Sequence, residues 1–152
     1  MFVKGLEKVM DIVRSVTVDQ PVERVFTYLS DFTTTTEWDP GTVRTTREVG
    51  DGGVGTRYRN VSRFLGRETE LVYVVEELSP LQRVRLRGEN RTVVAHDTMS
   101  FTANTDGTTT VTYRASFELN GLARLAGPLL GPAFRRLGDE AEHGLRTALG
   151  RL

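Results

Sequence analysis

The 152-residue sequence contains no cysteine, two histidines and one tryptophan. The absence of cysteine excludes disulfide bonds, thiolate catalysis and cysteine-ligated metals. His96 and His143 belong to no recognised metal-binding spacing, so we predict no metal site. We also expect no cofactor.

Long apolar runs and net charge are missing as well. No stretch is long enough to span a membrane, and the first sixteen residues carry charges where a signal peptide would be apolar. Twenty basic residues balance twenty acidic ones, which removes the broad attraction on which sequence-independent nucleic-acid binding depends. We therefore expect a cytoplasmic protein that spans no membrane and binds no nucleic acid.

The N-terminal third alternates between a strand and short helices. Apolar residues at period two predict a strand over Val9–Val18. Asp19 is then the expected N-cap of a helix that has Pro21 in its first turn and ends near Ser30. Asp31 is expected to cap a second, weaker helical turn through four threonines. This turn should be short, of the α or 3₁₀ type, and Pro40 and Gly41 should end it.

The middle of the chain is almost entirely strand, with polar and glycine-rich turns between the strands. The predicted strands are Thr42–Val49, Gly55–Leu65, Glu68–Leu78, Arg83–Arg87, Thr92–Ala103 and Thr108–Leu119.

Helical spacing returns from Leu122 to Leu152, with an apolar stripe that includes Leu125 and Leu129. Because Pro128 and Pro132 lie early in this segment, we expect the main helix to run from about Pro132. The whole pattern predicts an α+β fold in a single domain over residues 1–152. One curved antiparallel sheet of about seven strands would bury the long C-terminal helix and leave a cavity between them.

The segment VTVDQPVERVFTYLSDFTTTTEWDPG resembles the opening of the SRPBCC superfamily, which is also called START-like and includes polyketide cyclase/dehydrase and lipid-transport proteins. Further matches are Gly53-Val54-Gly55-Thr56, Phe64-Leu65-Gly66-Arg67, Asp106-Gly107-Thr108 and the Gly-Leu that opens the last helix. The resemblance covers about Val9 to Leu149. It implies a helix-grip fold with a deep pocket for a lipid-like, aromatic or polyketide-like ligand.

Gly50–Gly55 matches the dinucleotide-binding pattern G-x-G-x-x-G, which requires a helix directly after it. Here the alternating segment TRYRNVSRF follows and predicts a strand. We therefore interpret the glycine run as a hairpin turn that binds no nucleotide.

Strand periodicity indicates which side chains line the expected pocket. On the last strand Val111, Tyr113, Ala115, Phe117 and Leu119 share one face. The candidate ligand-binding residues are Trp38, Tyr58, Asn60, Phe64, Asp97, Met99, Phe101, Tyr113, Ala115, Phe117, Leu129 and Phe134.

Asp97 is the unusual member of this set because an inward carboxylate is costly to bury unless it is paired or solvated. Pairing across the Asn104–Gly107 loop would place it near Ala115 and diagonal to Tyr113. Asp97 would then either bond a backbone amide or Arg14, or anchor a ligand together with the Tyr113 hydroxyl. Asp97 and Tyr113 are also the only candidates for catalysis.

Trp38 follows a weak helix and precedes an obligatory break. The resemblance implies a residue that closes the pocket mouth at this position. We expect its indole mainly to pack, and also to touch a bound ligand.

Three functions remain open. The first is noncatalytic binding of a small hydrophobic or amphipathic ligand, and the second is an aromatase/cyclase-type enzyme of polyketide biosynthesis. The third is a protein-interaction module that uses the arginines alternating along two strands, although a self-balanced outer sheet face explains them more simply. A homodimer is an additional option.

Overall fold

The computed structural model describes residues 9–152, which form one seven-stranded antiparallel sheet, three α-helices and short 3₁₀ turns. The sheet order is β1-β7-β6-β5-β4-β3-β2, so that β1 and β2 are the two edges. The strands are β1 (Val9–Val18), β2 (Thr42–Val49), β3 (Arg57–Phe64), β4 (Arg67–Ser79), β5 (Arg83–Glu89), β6 (Val93–Ala103) and β7 (Thr109–Leu119). All seven predicted strands are present.

Two short helices connect β1 to β2. Helix α1 spans Val22–Ser30, and a 3₁₀ turn over Phe32–Thr34 leads into α2, Thr35–Trp38. Asp31 caps the turn as predicted, with its carboxylate accepting a hydrogen bond from the Thr33 amide at 3.0 Å. The predicted cap at Asp19 is wrong, because Pro21 occupies the N-cap position of α1 and no side chain bonds to that end.

Helix α3 spans Gly127–Gly150 without interruption and follows a 3₁₀ turn over Gly121–Ala126. The expected start near Pro132 is therefore five residues too late. Pro128 fits the first turn, where backbone amides have no helical partner. Pro132 lies one turn further on, so the helix loses a single backbone hydrogen bond and continues.

One face of α3 packs against the concave side of the sheet. Phe134, Ala141, Leu145 and Leu149 are buried there at helical spacing. Gly138 permits this close approach, because an added methyl group would lie 2.5 Å from Ile12 of β1. Gly144 permits a similar approach to α2, where an added methyl group would overlap the carbonyl oxygen of Trp38. The architecture is the helix-grip arrangement that the resemblance implied.

The outward sheet face carries cross-strand ion pairs. Arg59 bonds to Glu48 at 2.8 Å and to Glu70 at 2.5 Å, and Arg63 lies 3.0 Å from Glu68. Similar cross-strand pairs join Arg85 to Glu76 and Glu77, and Arg114 to Asp11, while Arg87 pairs with Glu89 on its own strand.

The edge strand β2 is irregular at both ends. Its register against β3 shifts between Thr42 and Arg44 and again between Arg47 and Val49. Such bulges twist a strand and interrupt its ladder of hydrogen bonds.

Candidate ligand-binding site

A cavity of about 220 Å³ lies between the concave sheet face and α3. Its walls come from β1, β3, β4, β6 and β7, from the segment around α2, and from α3. Apolar and aromatic side chains alternate with a limited set of polar ones, which is the usual composition of a small-molecule site.

Three phenylalanines connect the sheet to α3 at one part of the cavity wall. The Phe134 ring lies with its centroid 5.0 Å from that of Phe64 and 4.9 Å from that of Phe117. Phe134 thus contacts both β3 and β7, which lie toward opposite edges of the sheet. The cavity lies beside this cluster.

The central part of the sheet contributes Asp97, Tyr113 and Ala115. Asp97 pairs directly with Ala115, as predicted from the loop that joins β6 to β7. Its side chain is buried with 5% exposure, and its Oδ2 accepts a long hydrogen bond of 3.4 Å from the Tyr113 hydroxyl. Its Oδ1 has no hydrogen-bond partner among the described residues.

Burial raises the pKa of Asp97 to about 7, and the negative charge of Asp39 contributes to this rise, whereas the Tyr113 hydrogen bond opposes it. The expectation that Arg14 pairs with this carboxylate is wrong. Arg14 instead donates to Asp139 at 2.9 Å and to the backbone carbonyls of Val13 and Arg135. Asp97 therefore has no positive partner from β1.

Asp39, directly after α2, is a second carboxylate at the cavity wall. It accepts hydrogen bonds from the Gly41 amide at 3.1 Å and from the Thr42 hydroxyl at 3.0 Å. Burial nevertheless raises its pKa above the usual value.

Tyr73 also lines the cavity, and the sequence reasoning missed it. Its ring covers Gly88 on the neighbouring strand, where an added methyl group would lie 2.6 Å from the ring. The period-two pattern of Leu71, Tyr73 and Val75, all buried, was the available signal.

Asn60 belongs to a hydrogen-bonded chain rather than standing free in the cavity. Its amide donates to the Thr45 hydroxyl at 2.9 Å, and that hydroxyl contacts Thr35, which donates to the Phe32 carbonyl at 2.8 Å. The Asn60 oxygen accepts from the Ser62 hydroxyl at 2.6 Å. Asn60 therefore stabilises the wall between α2 and β3.

The structure brings seven of the predicted residues to the cavity wall; their role as ligand contacts stays a prediction. These are Asn60, Phe64, Asp97, Tyr113, Ala115, Phe117 and Phe134.

Four other predicted residues are buried elsewhere in the core. Tyr58 packs against Phe32 with a centroid distance of 5.6 Å, and Phe101 packs against Phe26 of α1 at 5.1 Å. Met99, on the same face as Phe101, is also buried. These three face inward as predicted, but they do not line the cavity.

Trp38, the fourth, does not close the cavity mouth. It is 2% exposed, lies under α3 and meets the Tyr113 ring edge-on at 5.5 Å. Its indole nitrogen has no hydrogen-bond partner among the described residues. The prediction of a mainly packing role is consistent with this position, whereas the expected place at the mouth is wrong.

The predictions that Leu129 lines the cavity and that Leu125 lies on the buried stripe of the helix are also wrong, because the two residues are 82% and 78% exposed. Leu129 lies five residues before Phe134, roughly 140° around the helix from it. Leu130 and Leu137 line the cavity instead.

Within residues 9–152, no cluster of histidine, aspartate or glutamate suits a metal ion. No helix in this part of the chain is long and apolar enough to cross a membrane.

Residues 10–150 match the model of the family described as polyketide cyclase / dehydrase and lipid transport. Comparison with curated proteins found no match.

Similar solved structures include the Zhui aromatase/cyclase from Streptomyces sp. R1128, with a TM-score of 0.80 and 14% identity over 94% of each chain. A START superfamily protein from Mycobacterium smegmatis has a TM-score of 0.69 and 16% identity over 93% of this chain and 94% of its own. The di-domain ARO/CYC StfQ from the steffimycin biosynthetic pathway has a TM-score of 0.69 and 15% identity over 91% of this chain and 50% of its own. At these identities the likeness shows a common fold. Together with the family match, it establishes that the chain belongs to the polyketide cyclase / dehydrase and lipid transport family of the START-like (SRPBCC) superfamily.

Proposed function

We propose that this protein binds a small hydrophobic or amphipathic molecule in the cavity between the sheet and α3. The observation that carries the proposal is the cavity itself, about 220 Å³ between the sheet and α3 and partly open to solvent beside the exposed Arg63. Protein interiors rarely leave such a space unfilled. The apolar part of its wall favours a ligand with an aromatic or aliphatic body.

Filling the cavity from Ala115 is expected to abolish binding. Ala115 is 1% exposed at the cavity wall, between Ile12 and Asp97 on the neighbouring strands. An Ala115→Trp indole would occupy ligand space, at a cost to stability of about 1–3 kcal/mol. We expect the neutral fluorescent probe N-phenyl-1-naphthylamine to bind the wild-type protein at about one site per chain and to bind this variant at least ~10-fold more weakly.

Ala103→Trp is the matched control, because Ala103 is exposed at the end of β6. This variant is expected to bind the probe as the wild type does. Equal binding by both variants would show that the probe occupies another site, and the absence of wild-type binding would refute the proposal.

An aromatase/cyclase-type enzyme is the second candidate. The observation in its favour is that a carboxyl with a pKa of about 7 and a tyrosine hydroxyl lie 3.4 Å apart at the cavity wall. A group with such a pKa can accept a proton from carbon or return one to oxygen near neutral pH. The mixed polar and apolar wall fits this candidate better than a purely apolar wall would.

A linear polyketone surrogate distinguishes the two candidates. An enzyme would accelerate its cyclisation, with a rate that depends on pH near 7 and is lost in Asp97→Asn. A binding protein would hold the surrogate without changing the rate of cyclisation.

A further inference from the structure

Hydrogen-bond donors and acceptors at the cavity wall are not in balance. Most of the hydroxyl and amide donors already serve protein acceptors: the Thr42 hydroxyl bonds Asp39, the Ser62 hydroxyl bonds Asn60, and the Tyr113 hydroxyl bonds Asp97. One strong acceptor, Oδ1 of Asp97, has no partner among the described residues. A buried acceptor without a partner is costly and points to a missing donor.

The cavity wall near Asp97 also carries more negative than positive charge. The negative charge of Asp39 disfavours ionisation of Asp97 and raises the pKa of its carboxyl. Arg63 is the cation among the cavity-lining residues, and its side chain is 61% exposed and paired with Glu68. The wall near Asp97 therefore favours a neutral or positive group over a negative one.

We propose that the ligand carries a hydrogen-bond donor, a hydroxyl or a protonated amine, which it places against the carboxylate of Asp97 while its apolar body lies toward Phe134. This inference rests on the proposed function, since it assumes that the cavity binds a ligand. The Tyr113 hydroxyl donates one long hydrogen bond of 3.4 Å to Oδ2, so the carboxylate keeps unused acceptor capacity for a ligand. Asp97 thus acts as the specificity-determining residue of the cavity.

A naphthalene series with one changed substituent tests the inference by calorimetry at pH 8. 1-Naphthylmethanol and 1-naphthylmethylamine carry donors, 1-(methoxymethyl)naphthalene carries only an acceptor, 1-methylnaphthalene carries neither, and 1-naphthaleneacetic acid is an anion. We expect the alcohol or the amine to bind about tenfold more tightly than the hydrocarbon and the ether, because hydrogen bonds to charged groups are the strong ones. The anion should bind most weakly.

The Asp97→Asn variant should still bind the hydrocarbon, while its preference for the donor compounds falls below about threefold. Tighter binding of the amine alone would identify a cationic ligand. Tighter binding of the alcohol by the same factor as the amine would identify a neutral donor. Both results support the inference. If the hydrocarbon binds wild type as tightly as both donor compounds, the inference is overturned and the proposed function stands. If no member of the series binds, both fall.

The pH dependence supplies a second readout. The groups that surround Asp97 are Asp39 beyond α2, Tyr73 on β4 and Tyr113 on β7, while Arg14 on β1 is engaged by Asp139. Because the carboxyl becomes protonated below about pH 7, the preference for donors should weaken at pH 5.5. A donor preference of unchanged size at both pH values would show that another group makes the contact.

Discussion

Gly144→Ala is expected to lower the free energy of unfolding by about 3–5 kcal/mol, within the range of severe core overpacking. The added methyl group would overlap the Trp38 carbonyl oxygen and lie 2.8 Å from the carbonyl carbon. Backbone atoms cannot rotate away, so α3 and the end of α2 must separate. Chemical denaturation, with the midpoint compared between variant and wild type, measures the loss.

Gly131→Ala is the control on the same helix. At this position the nearest atom to a new methyl group is the flexible Arg135 guanidinium, at 3.4 Å. Alanine in place of a helical glycine without a clash is expected to add up to about 1 kcal/mol. A similar small gain in both variants would mean that α3 can move away from Trp38 at little cost.

Asp97→Asn is expected to stabilise the protein at pH 8. Burial raises the pKa of Asp97 from its usual 3.8 to about 7, so the folded chain binds this proton more tightly than the unfolded chain. The resulting stabilisation is fully present below about pH 4 and is lost as the pH rises to about 7. The difference between the two values corresponds to roughly 4 kcal/mol as an upper limit, and we expect the variant to recover about 1–3 kcal/mol at pH 8.

The gain should shrink toward zero at pH 4, where the wild-type carboxyl is neutral. Asp19→Asn, the same change at an exposed residue without a hydrogen-bond partner in the described part of the chain, is the matched control. If Asp97→Asn destabilises the protein at every pH, the carboxylate has a structural role that its present contacts do not reveal. A residue that lowers stability and yet lies at a cavity is a strong candidate for function.

Most of the sheet could be predicted from the sequence, because the alternation of apolar and polar residues indicates both the strands and their inward faces. The same period placed Asp97 opposite Ala115, since the short loop between β6 and β7 leaves only one register that buries both apolar faces. The positions of the bulges could not be predicted. The register shift between β4 and β5, for example, depends on contacts from several strands.

The helical end of the cavity was predicted less well, for a physical reason. The two prolines predict a helix that starts near Pro132, whereas the helix continues through Pro132 from Gly127. The apolar stripe includes both Leu129 and Leu130, and the pattern alone does not show that only Leu130 lines the cavity. The close approach of α3 to the Trp38 backbone requires Gly144, which lies 106 residues later in the sequence, and no local pattern around Trp38 indicates that contact.

The bulged edge strand β2 has a consequence for how the molecules behave toward one another. A straight sheet edge offers regularly spaced amides and carbonyls to a strand of a second molecule and promotes fibrous aggregation. The shifts beside Arg44 and Arg47 put that ladder out of step at both ends, and the two guanidinium groups repel a second identical edge. A buried carboxylate that destabilises the fold raises the fraction of partly open molecules, and at this edge strand pairing between such molecules is disfavoured.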